Sequence, residues 1–200
     1  MTMKRQPELL IIAIFIAIFL TTSCSKDENN NPTTGFYPLK TGVEWTYSYN
    51  DNSSFTLKIT GNEKVHGQDY WIVKDSDNEY YAAYRETDEA VFEDEGLDAS
   101  ESAITKFLLK SANIGDTWNS ILRPGYTKEY KLLAKENLTI SGIDYLNCYK
   151  ILCTWKHDTN SGHYVDWHCS GYGLVKSSET DEYGNVTNEQ YTYFLTSFKE

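Results

Sequence analysis

Alternation of large apolar and polar side chains is the feature that most constrains how this chain folds. Residues 43–50 read VEWTYSYN, in which Val43, Trp45, Tyr47 and Tyr49 occupy every second position. When apolar side chains recur with a period of two, they share one face of an extended strand and the residues between them lie on the opposite face. This stretch therefore predicts a half-buried β-strand with an aromatic inner face.

The same chemistry recurs between short turn signals such as Asn-Asp-Asn at 50–52 and Tyr-Gly-Asn at 183–185. These residues tolerate the backbone conformations that tight turns require. Short strands at close spacing indicate an antiparallel all-β fold, built as a curved sheet or a sandwich. Further strands are predicted at 54–60, 69–74, 78–85, 89–93, 128–134, 145–155, 164–169, 173–178 and 190–198.

One segment is a helix candidate. Residues 100–110 read SESAITKFLLK, with Ser100 placed to cap a helix. Residues 107–109 are equally compatible with a strand, so we expect little helix overall.

Two short phrases occur twice. Gly-x-x-Trp appears at 42–45 and 115–118, and VHGQDY at 65–70 is matched by ISGIDY at 140–145. The offsets are 73 and 75 residues, and chance matches need not agree in spacing. We interpret the pattern as a diverged duplication. It predicts pseudo-repeats at about 36–106 and 107–185 inside a single domain covering residues 36–200.

The N-terminal segment predicts export. A basic start is followed by an apolar run of 12 residues at 9–20, then by Thr-Thr-Ser and Cys24. This is the layout of a secretory signal peptide, and the run is shorter than the roughly 20 residues of a membrane-spanning helix. A cysteine directly after small residues resembles a bacterial lipoprotein signal, although Thr21 stands where Leu is usual. We predict a signal peptide at 1–23 and lipidation of Cys24; the alternative is a free cysteine after an ordinary cleavage site.

The residues after Cys24 predict a tether. Residues 24–35 contain almost no apolar side chains, so we expect them to be disordered. Ser-Lys-Asp-Glu at 25–28 resembles a surface-export signal of such lipoproteins. The formal net charge of the chain, −11, argues against nucleic acid as a partner. These features predict a lipid-anchored protein of the outer membrane, exposed on the cell surface or facing the periplasm.

Three motifs in order resemble a known group of proteins. They are FYPLKTGVEWTYSY at 36–49, NIGDTW at 113–118 and SGYGLVKSSE at 170–179. The chain resembles uncharacterised Bacteroidota-type outer-membrane or surface lipoproteins with YPLxxGxxWxY, VGDTW and GVGLVK motifs. That group often has Ala-Pro-Gly where Cys-Ser-Gly stands here at 169–171. The resemblance implies a curved antiparallel sheet or sandwich, outer-membrane attachment and no known enzymatic activity.

The cysteines suggest a disulfide. If a hairpin turns symmetrically about Ser161, Cys153 lies opposite Cys169 and Trp155 lies opposite Trp167. Opposed residues on neighbouring strands are close enough for a bridge after slight closing, and exported proteins meet an oxidising compartment. We predict a Cys153–Cys169 disulfide with Cys148 left over. The alternative is three reduced, buried thiols.

Recognisable catalytic and metal motifs do not occur. Three of the four histidines fall within 157–169, but without the spacings of zinc sites. The acidic stretch at 85–101 does not follow the EF-hand pattern. Gly-x-Ser-x-Gly and phosphate-binding loop motifs do not appear either. We therefore predict a protein that is not an enzyme and has no cofactor or metal.

The abundant tyrosines suggest a binding surface. A candidate aromatic ligand platform comprises Tyr80, Tyr81, Tyr84, Tyr191 and Tyr193; the alternative is a thin β core built from large rings. Two functions stay open. One is a non-catalytic binding or accessory lipoprotein for a glycan, a peptide or a partner protein. The other is a carrier that shelters a hydrophobic ligand or lipid on the concave face of the sheet.

Overall fold

The computed structural model describes residues 35–94, 104–123 and 125–200. The predicted signal peptide, the lipidation site Cys24 and the tether up to residue 34 lie outside the described residues. So do residues 100–103, the beginning of the helix candidate.

Twelve strands occupy the described part of the chain. They are β1 (Glu44–Tyr49), β2 (Ser54–Val65), β3 (Gln68–Asp75), β4 (Tyr80–Glu86), β5 (Ala90–Asp94), β6 (Ile104–Leu109), β7 (Thr117–Arg123), β8 (Tyr126–Ile140), β9 (Ile143–His157), β10 (Asn160–Cys169), β11 (Gly173–Thr180) and β12 (Val186–Lys199). The predicted all-β class is confirmed, and every predicted strand overlaps an observed one. β7 was not predicted.

The strands form one antiparallel sheet in the order β6-β5-β4-β3-β2-β1-β12-β11-β10-β9-β8-β7. Strands that follow each other along the chain pair in the sheet, except β6 and β7, which are its two ends. The β1–β12 pairing joins the beginning of the domain to its end. The sheet curves until its outermost strands, β6 and β7, approach each other. Of the two predicted architectures, the curved single sheet is therefore the observed one.

The helix alternative for residues 104–110 is wrong. Ile104–Leu109 is strand β6, whose Thr105 and Phe107 are buried on alternate positions. Its partner β5 supplies a ladder that runs from Glu93 opposite Thr105 to Ala90 opposite Leu109, with one register shift between Val91 and Phe92. Pairing with β5 thus determines the secondary structure of a short apolar segment whose local pattern is ambiguous.

Side chains join the two outermost strands at a seam between β6 and β7. The indole N–H of Trp118 donates a hydrogen bond to the Lys106 carbonyl at 2.9 Å. The Lys106 amide donates to Ser120 Oγ at 3.1 Å. Outermost strands expose backbone groups that would otherwise stay unpaired. These two bonds satisfy both backbone groups of Lys106 and bring the sheet close to closure.

The inner face of the sheet carries the core. Its largest fully buried side chains include Trp45, Ile59, Leu132, Ile151 and Leu195. Buried aromatic rings with polar atoms need partners for those atoms. The Trp45 indole N–H donates to the Tyr172 carbonyl at 2.7 Å, and the Tyr47 hydroxyl donates to the Leu174 carbonyl at 2.9 Å.

The two recurring phrases have matching backbone geometry. Gly42 (φ +95°) precedes β1, and its amide donates to the Ile59 carbonyl at 2.9 Å. Gly115 (φ +96°) precedes β7, and its amide donates to the Leu132 carbonyl at 2.8 Å. Only glycine adopts such φ values without strain.

The second phrase forms equivalent hairpin turns. His66-Gly67 joins β2 to β3 and Ser141-Gly142 joins β8 to β9, with positive φ at all four residues. Two central residues with positive φ are characteristic of a type I′ hairpin. Both phrases thus occupy equivalent places in the strand order. A common origin of the two halves stays a prediction.

Candidate functional site

A cavity of about 660 Å³ lies on the concave side of the sheet. It is lined by side chains from β4, β5, β6 and from β8 to β12, so it forms only when the sheet curves round. The aromatic part of its lining includes Tyr81, Tyr130, Trp155, Tyr164, Tyr191 and Tyr193. Tyr81 is 43% exposed and Tyr191 is 55% exposed, so these two rings keep much of their surface free for contact.

Charged side chains line the same cavity. Three carboxyl groups (Glu93, Asp166 and Glu179) and one ammonium group (Lys128) belong to its wall. They come from four different strands. Lys128 is buried, whereas Glu179 is exposed. The cavity therefore combines ring faces with charges rather than presenting an apolar surface.

Strand β10 supplies the polar floor of the cavity through its alternation. Tyr164, Asp166 and His168 occupy every second position and all line the cavity. Asp166 lies opposite Ile151 of β9 and Ser177 of β11, which fixes its place in the sheet. The residues between them, such as Trp167, face the other way.

Asp166 is a carboxyl group in an unfavourable environment. Its side chain is only 17% exposed, and its Oδ1 is buried without a hydrogen-bond partner in the described structure. Burial is the main cause that raises the pKa of Asp166 to about 7; the nearby Glu93 carboxylate acts in the same direction, whereas the Ser177 hydroxyl and Lys128 oppose the shift. Asp166 thus changes charge close to neutral pH.

His168 is a buried neutral imidazole. Its Nδ1 is hydrogen-bonded to the Tyr37 hydroxyl at 2.9 Å, and its Nε2 lies 3.8 Å from Asp166 Oδ2. Burial lowers the pKa of His168 to about 3. At neutral pH the two side chains therefore do not form an ion pair, and His168 acts as part of the cavity wall.

The structure brings together three residues of the predicted aromatic platform. Tyr81, Tyr191 and Tyr193 line the cavity. Tyr80 and Tyr84 do not line the cavity themselves: the Tyr80 hydroxyl donates to the Asp94 carbonyl at 2.8 Å, and the buried Tyr84 donates to the cavity-lining Glu93 at 3.1 Å. Ligand binding by the platform stays a prediction.

Sequence reasoning missed the residues that give the cavity its polarity. Lys128, Trp155 and Asp166 lie on strands that the pattern did predict, and the alternation at 164–168 was visible. Nothing local shows that these strands face β4 and β5 across the concave side, because that proximity depends on how far the sheet curves.

The predicted Cys153–Cys169 disulfide is wrong. Cys169 lies opposite Cys148, and these two cysteines form the disulfide. Cys153 lies opposite Tyr164 and is a buried thiol whose pKa burial raises to about 12. The residue left over is therefore Cys153 and not Cys148.

The error lies in the position of the hairpin turn. The β9–β10 turn falls at Asp158-Thr159, with Asp158 at φ 53°, and not at Ser161. Gly162 lies in β10 and packs closely on β9: a Cβ there would lie 2.7 Å from the Trp155 ring.

The two tryptophans do not face each other as predicted. Trp155 lies opposite Gly162, and Trp167 lies opposite Lys150. Trp167 is on the convex face, where the Nζ atoms of Lys150 and Lys176 lie 5.2 and 4.8 Å from its ring centroid.

The described residues contain no group of three or more His, Cys, Asp or Glu side chains placed to hold a metal ion. In the same part of the chain, no helix has the length and apolar character needed to cross a membrane.

Two solved structures are similar to this chain. One, from Bacteroides fragilis, is described as an inferred exported protein with a YmcC-like fold. It has a TM-score of 0.54 and 11% identity, and the match covers 84% of this chain and 100% of that chain. The other, from Parabacteroides distasonis, is described as an inferred lipoprotein. Its TM-score is 0.50 at 13% identity, covering 83% of this chain and 99% of that chain.

At such identities the likeness shows the fold alone. No protein-family model matches the chain, and a comparison with curated proteins gave no significant match. The nearly closed twelve-stranded sheet therefore has a YmcC-like fold.

Proposed function

We propose that this chain is an exported, lipid-anchored binding protein that is not an enzyme, and that its concave cavity holds a small polar ligand. The observation that carries the proposal is the composition of the cavity wall, which mixes half-exposed aromatic rings with charged side chains. A volume of about 660 Å³ falls within the range of small-molecule sites. A cavity of this kind fits a small solute, or the end of a glycan or peptide, better than the surface of a partner protein.

The carrier of a hydrophobic ligand is the second candidate. A dry apolar cavity would favour it. The wall instead presents Glu93, Lys128 and Asp166, and an acyl chain laid against them would strip water from charged groups without replacing their hydrogen bonds. The cavity chemistry thus supports the polar ligand, and the carrier remains an outcome of the test below.

The arrangement of Asp166 and His168 supports a role without catalysis. Nε2 and Oδ2 are 3.8 Å apart, too far for the hydrogen bond that orients a general base. The other imidazole nitrogen is engaged by Tyr37.

Export and anchoring are supported by two independent observations. The segment before Cys24 has the layout of a lipoprotein signal. Two proteins of the same fold are described as an inferred exported protein and an inferred lipoprotein. We propose that the chain belongs to the Bacteroidota-type lipoproteins that its motifs resemble. It then sits in the outer membrane through acyl chains on Cys24, with the cell surface as its proposed side and the periplasm as the alternative.

A binding screen tests the ligand proposal. The purified full-length chain is screened against immobilised saccharides, short peptides and fatty acids, and hits are measured by calorimetry. We expect hits among the polar compounds and at least a tenfold loss of affinity in Trp155→Ala or Tyr191→Ala. Tyr183→Ala is the matched control, because Tyr183 is 74% exposed and lies in the β11–β12 turn outside the cavity. Binding of fatty acids alone, or equal affinity in all variants, would contradict the proposal.

Cell fractionation tests the anchor. Cys24→Ala should move the protein out of the membrane fraction, because acyl chains on the cysteine supply the membrane affinity. Cys153→Ala is the control, since it also removes one thiol but leaves the anchor in place. A Cys24→Ala protein that stays membrane-bound at its mature size would show that the anchor is elsewhere.

A further inference from the structure

We infer that the cavity recognises an organic cation: a small molecule, or the end of a larger one, that carries an ammonium group. The inference rests on the proposed binding function and names the charge of its ligand.

The first argument is the balance of charge. Carboxyl groups from β5, β10 and β11 face a single ammonium group from β8, namely Glu93, Asp166 and Glu179 against Lys128. The neighbouring His168 is a neutral imidazole at physiological pH, because burial lowers its pKa to about 3. A positively charged ligand compensates the excess of carboxylate, whereas an anionic ligand would be repelled by it.

The second argument is the aromatic lining. A cation is attracted to the face of an aromatic ring by the ring quadrupole, and more strongly when water is excluded. Tyr81, Trp155 and Tyr191 contribute rings with accessible surface from three different strands. Ring faces together with carboxylates are the chemistry by which proteins select ammonium groups over neutral molecules of the same shape.

The third argument is the state of Asp166. Its Oδ1 is buried without a hydrogen-bond partner in the described structure, and its side chain reaches the cavity wall. A cation seated in the cavity would stabilise the charged form of this carboxyl group at a place where burial opposes it. Binding of a cation and deprotonation of Asp166 would then favour each other.

The test compares two molecules that differ in charge alone. Choline and 3,3-dimethyl-1-butanol have the same shape, but only choline carries a positive charge, and that charge does not depend on pH. Calorimetry on the purified full-length chain at pH 8 should show at least tenfold tighter binding of choline. Equal binding, or preference for the neutral alcohol, overturns the inference.

Two variants locate the effect. Asp166→Asn and Glu179→Gln should each reduce the preference for choline, with the larger loss in Asp166→Asn. The control is Asp69→Asn, which removes an exposed carboxylate from an ion pair with Lys64 outside the cavity. Circular dichroism confirms folding. Glu179 is exposed, so Glu179→Gln keeps the test valid if Asp166→Asn does not fold. Unchanged preference for choline in every one of these two variants that folds contradicts the inference.

The pH dependence gives a second readout. Deprotonated Asp166 is the form that attracts a cation, so choline affinity should rise about tenfold between pH 6 and pH 8 and the rise should vanish in Asp166→Asn. The titratable groups around Asp166 on the packed strands are Tyr81, Glu93, Lys128, His163, Tyr164, His168, Glu179 and Tyr193. A pH dependence that persists in Asp166→Asn would assign the effect to one of these groups and contradict the role of Asp166.

The outcomes separate the inference from the proposed function. Binding of neutral saccharides or peptides without any preference for choline overturns the cation inference and leaves the binding function standing. A chain that binds none of the polar compounds overturns both.

Discussion

Trp45 and Trp118 occupy matching places in the two halves of the sheet but have different surroundings. We call the surroundings of Trp45 the filled side and those of Trp118 the cavity side. On the filled side, Trp45 is 2% exposed, and its indole N–H is paired with a carbonyl. On the cavity side, Trp118 is only partly buried and stacks on Tyr130, which lines the cavity, with ring centroids 5.8 Å apart. The filled side resembles an ordinary core, whereas the cavity side contains Lys128, Asp166 and His168.

The difference shows how one local motif serves two purposes. Gly-x-x-Trp starts a strand with the same backbone geometry in both places. What surrounds each tryptophan then decides its role. Buried groups that contribute little to stability are expected at functional sites and not in cores. We therefore read the surroundings of Trp45 as the more stable frame, and the surroundings of Trp118 as part of the cavity wall, to which both halves of the sheet contribute.

The largest effect is expected at Trp45. Trp45→Ala should lower the free energy of unfolding by about 3–5 kcal/mol, because a fully buried ring is removed and the Tyr172 carbonyl loses its donor. Denaturant unfolding followed by circular dichroism measures it. A loss smaller than that of Trp118→Ala would reverse the assignment of the filled side.

A smaller effect is expected at Trp118. Trp118→Ala should cost about 2 kcal/mol, since the ring is partly exposed and one hydrogen bond across the β6–β7 seam is lost. The seam should also open more often, so hydrogen exchange should accelerate in β6 and β7 more than in β1 and β12. Uniform acceleration across all strands would mean that Trp118 supports the whole sheet and not the seam.

The filled side was easier to predict than the cavity side. Trp45 and Tyr47 lie in a strictly alternating stretch, and alternation reports directly which face is buried. Strand β7, TWNSILR, alternates poorly and was missed. The Cys148–Cys169 pairing was missed because it depends on where a turn falls. A turn at Asp158-Thr159 instead of Ser161 changes every cross-strand partner. Cavity residues depend on the curvature of the whole sheet, which no local pattern encodes.

The pH dependence of stability tests the cavity side through two opposing groups. The pKa of Asp166 is raised to about 7, so the folded state holds this proton more tightly and stability should increase as pH falls from about 7 to about 4. The pKa of His168 is lowered to about 3, so the unfolded state takes up this proton first and stability should decrease as pH falls below about 6.5. Each group contributes at most about 1.4 kcal/mol per pH unit, and the two slopes largely cancel.

Replacing either Asp166 or His168 should reveal the effect of the other on the pH dependence of stability. Asp166→Asn should make the protein more sensitive to acid between pH 6 and pH 4, and His168→Asn should make it more stable at pH 5 than at pH 7. Thermal unfolding across this range gives the slopes. Asp69→Asn on the exposed β2–β3 hairpin is the control and should leave the profile unchanged. If both cavity variants keep the parent profile, these groups do not govern the acid response.

The smallest effect is expected at the other seam bond. Ser120→Ala removes the acceptor of the Lys106 amide, and the net loss of one such hydrogen bond is about 1 kcal/mol. Because Ser120 is a small buried side chain, little packing is lost with it. Its effect on stability should therefore be modest, whereas exchange of the Lys106 amide should accelerate strongly. Thr46→Ala is a matched control, since it removes a hydroxyl that bonds Thr56 within the laddered β1–β2 pair. If both variants change exchange at Lys106 equally, the Ser120 bond does not hold the seam, and among the described seam bonds the one from Trp118 is then left to do so.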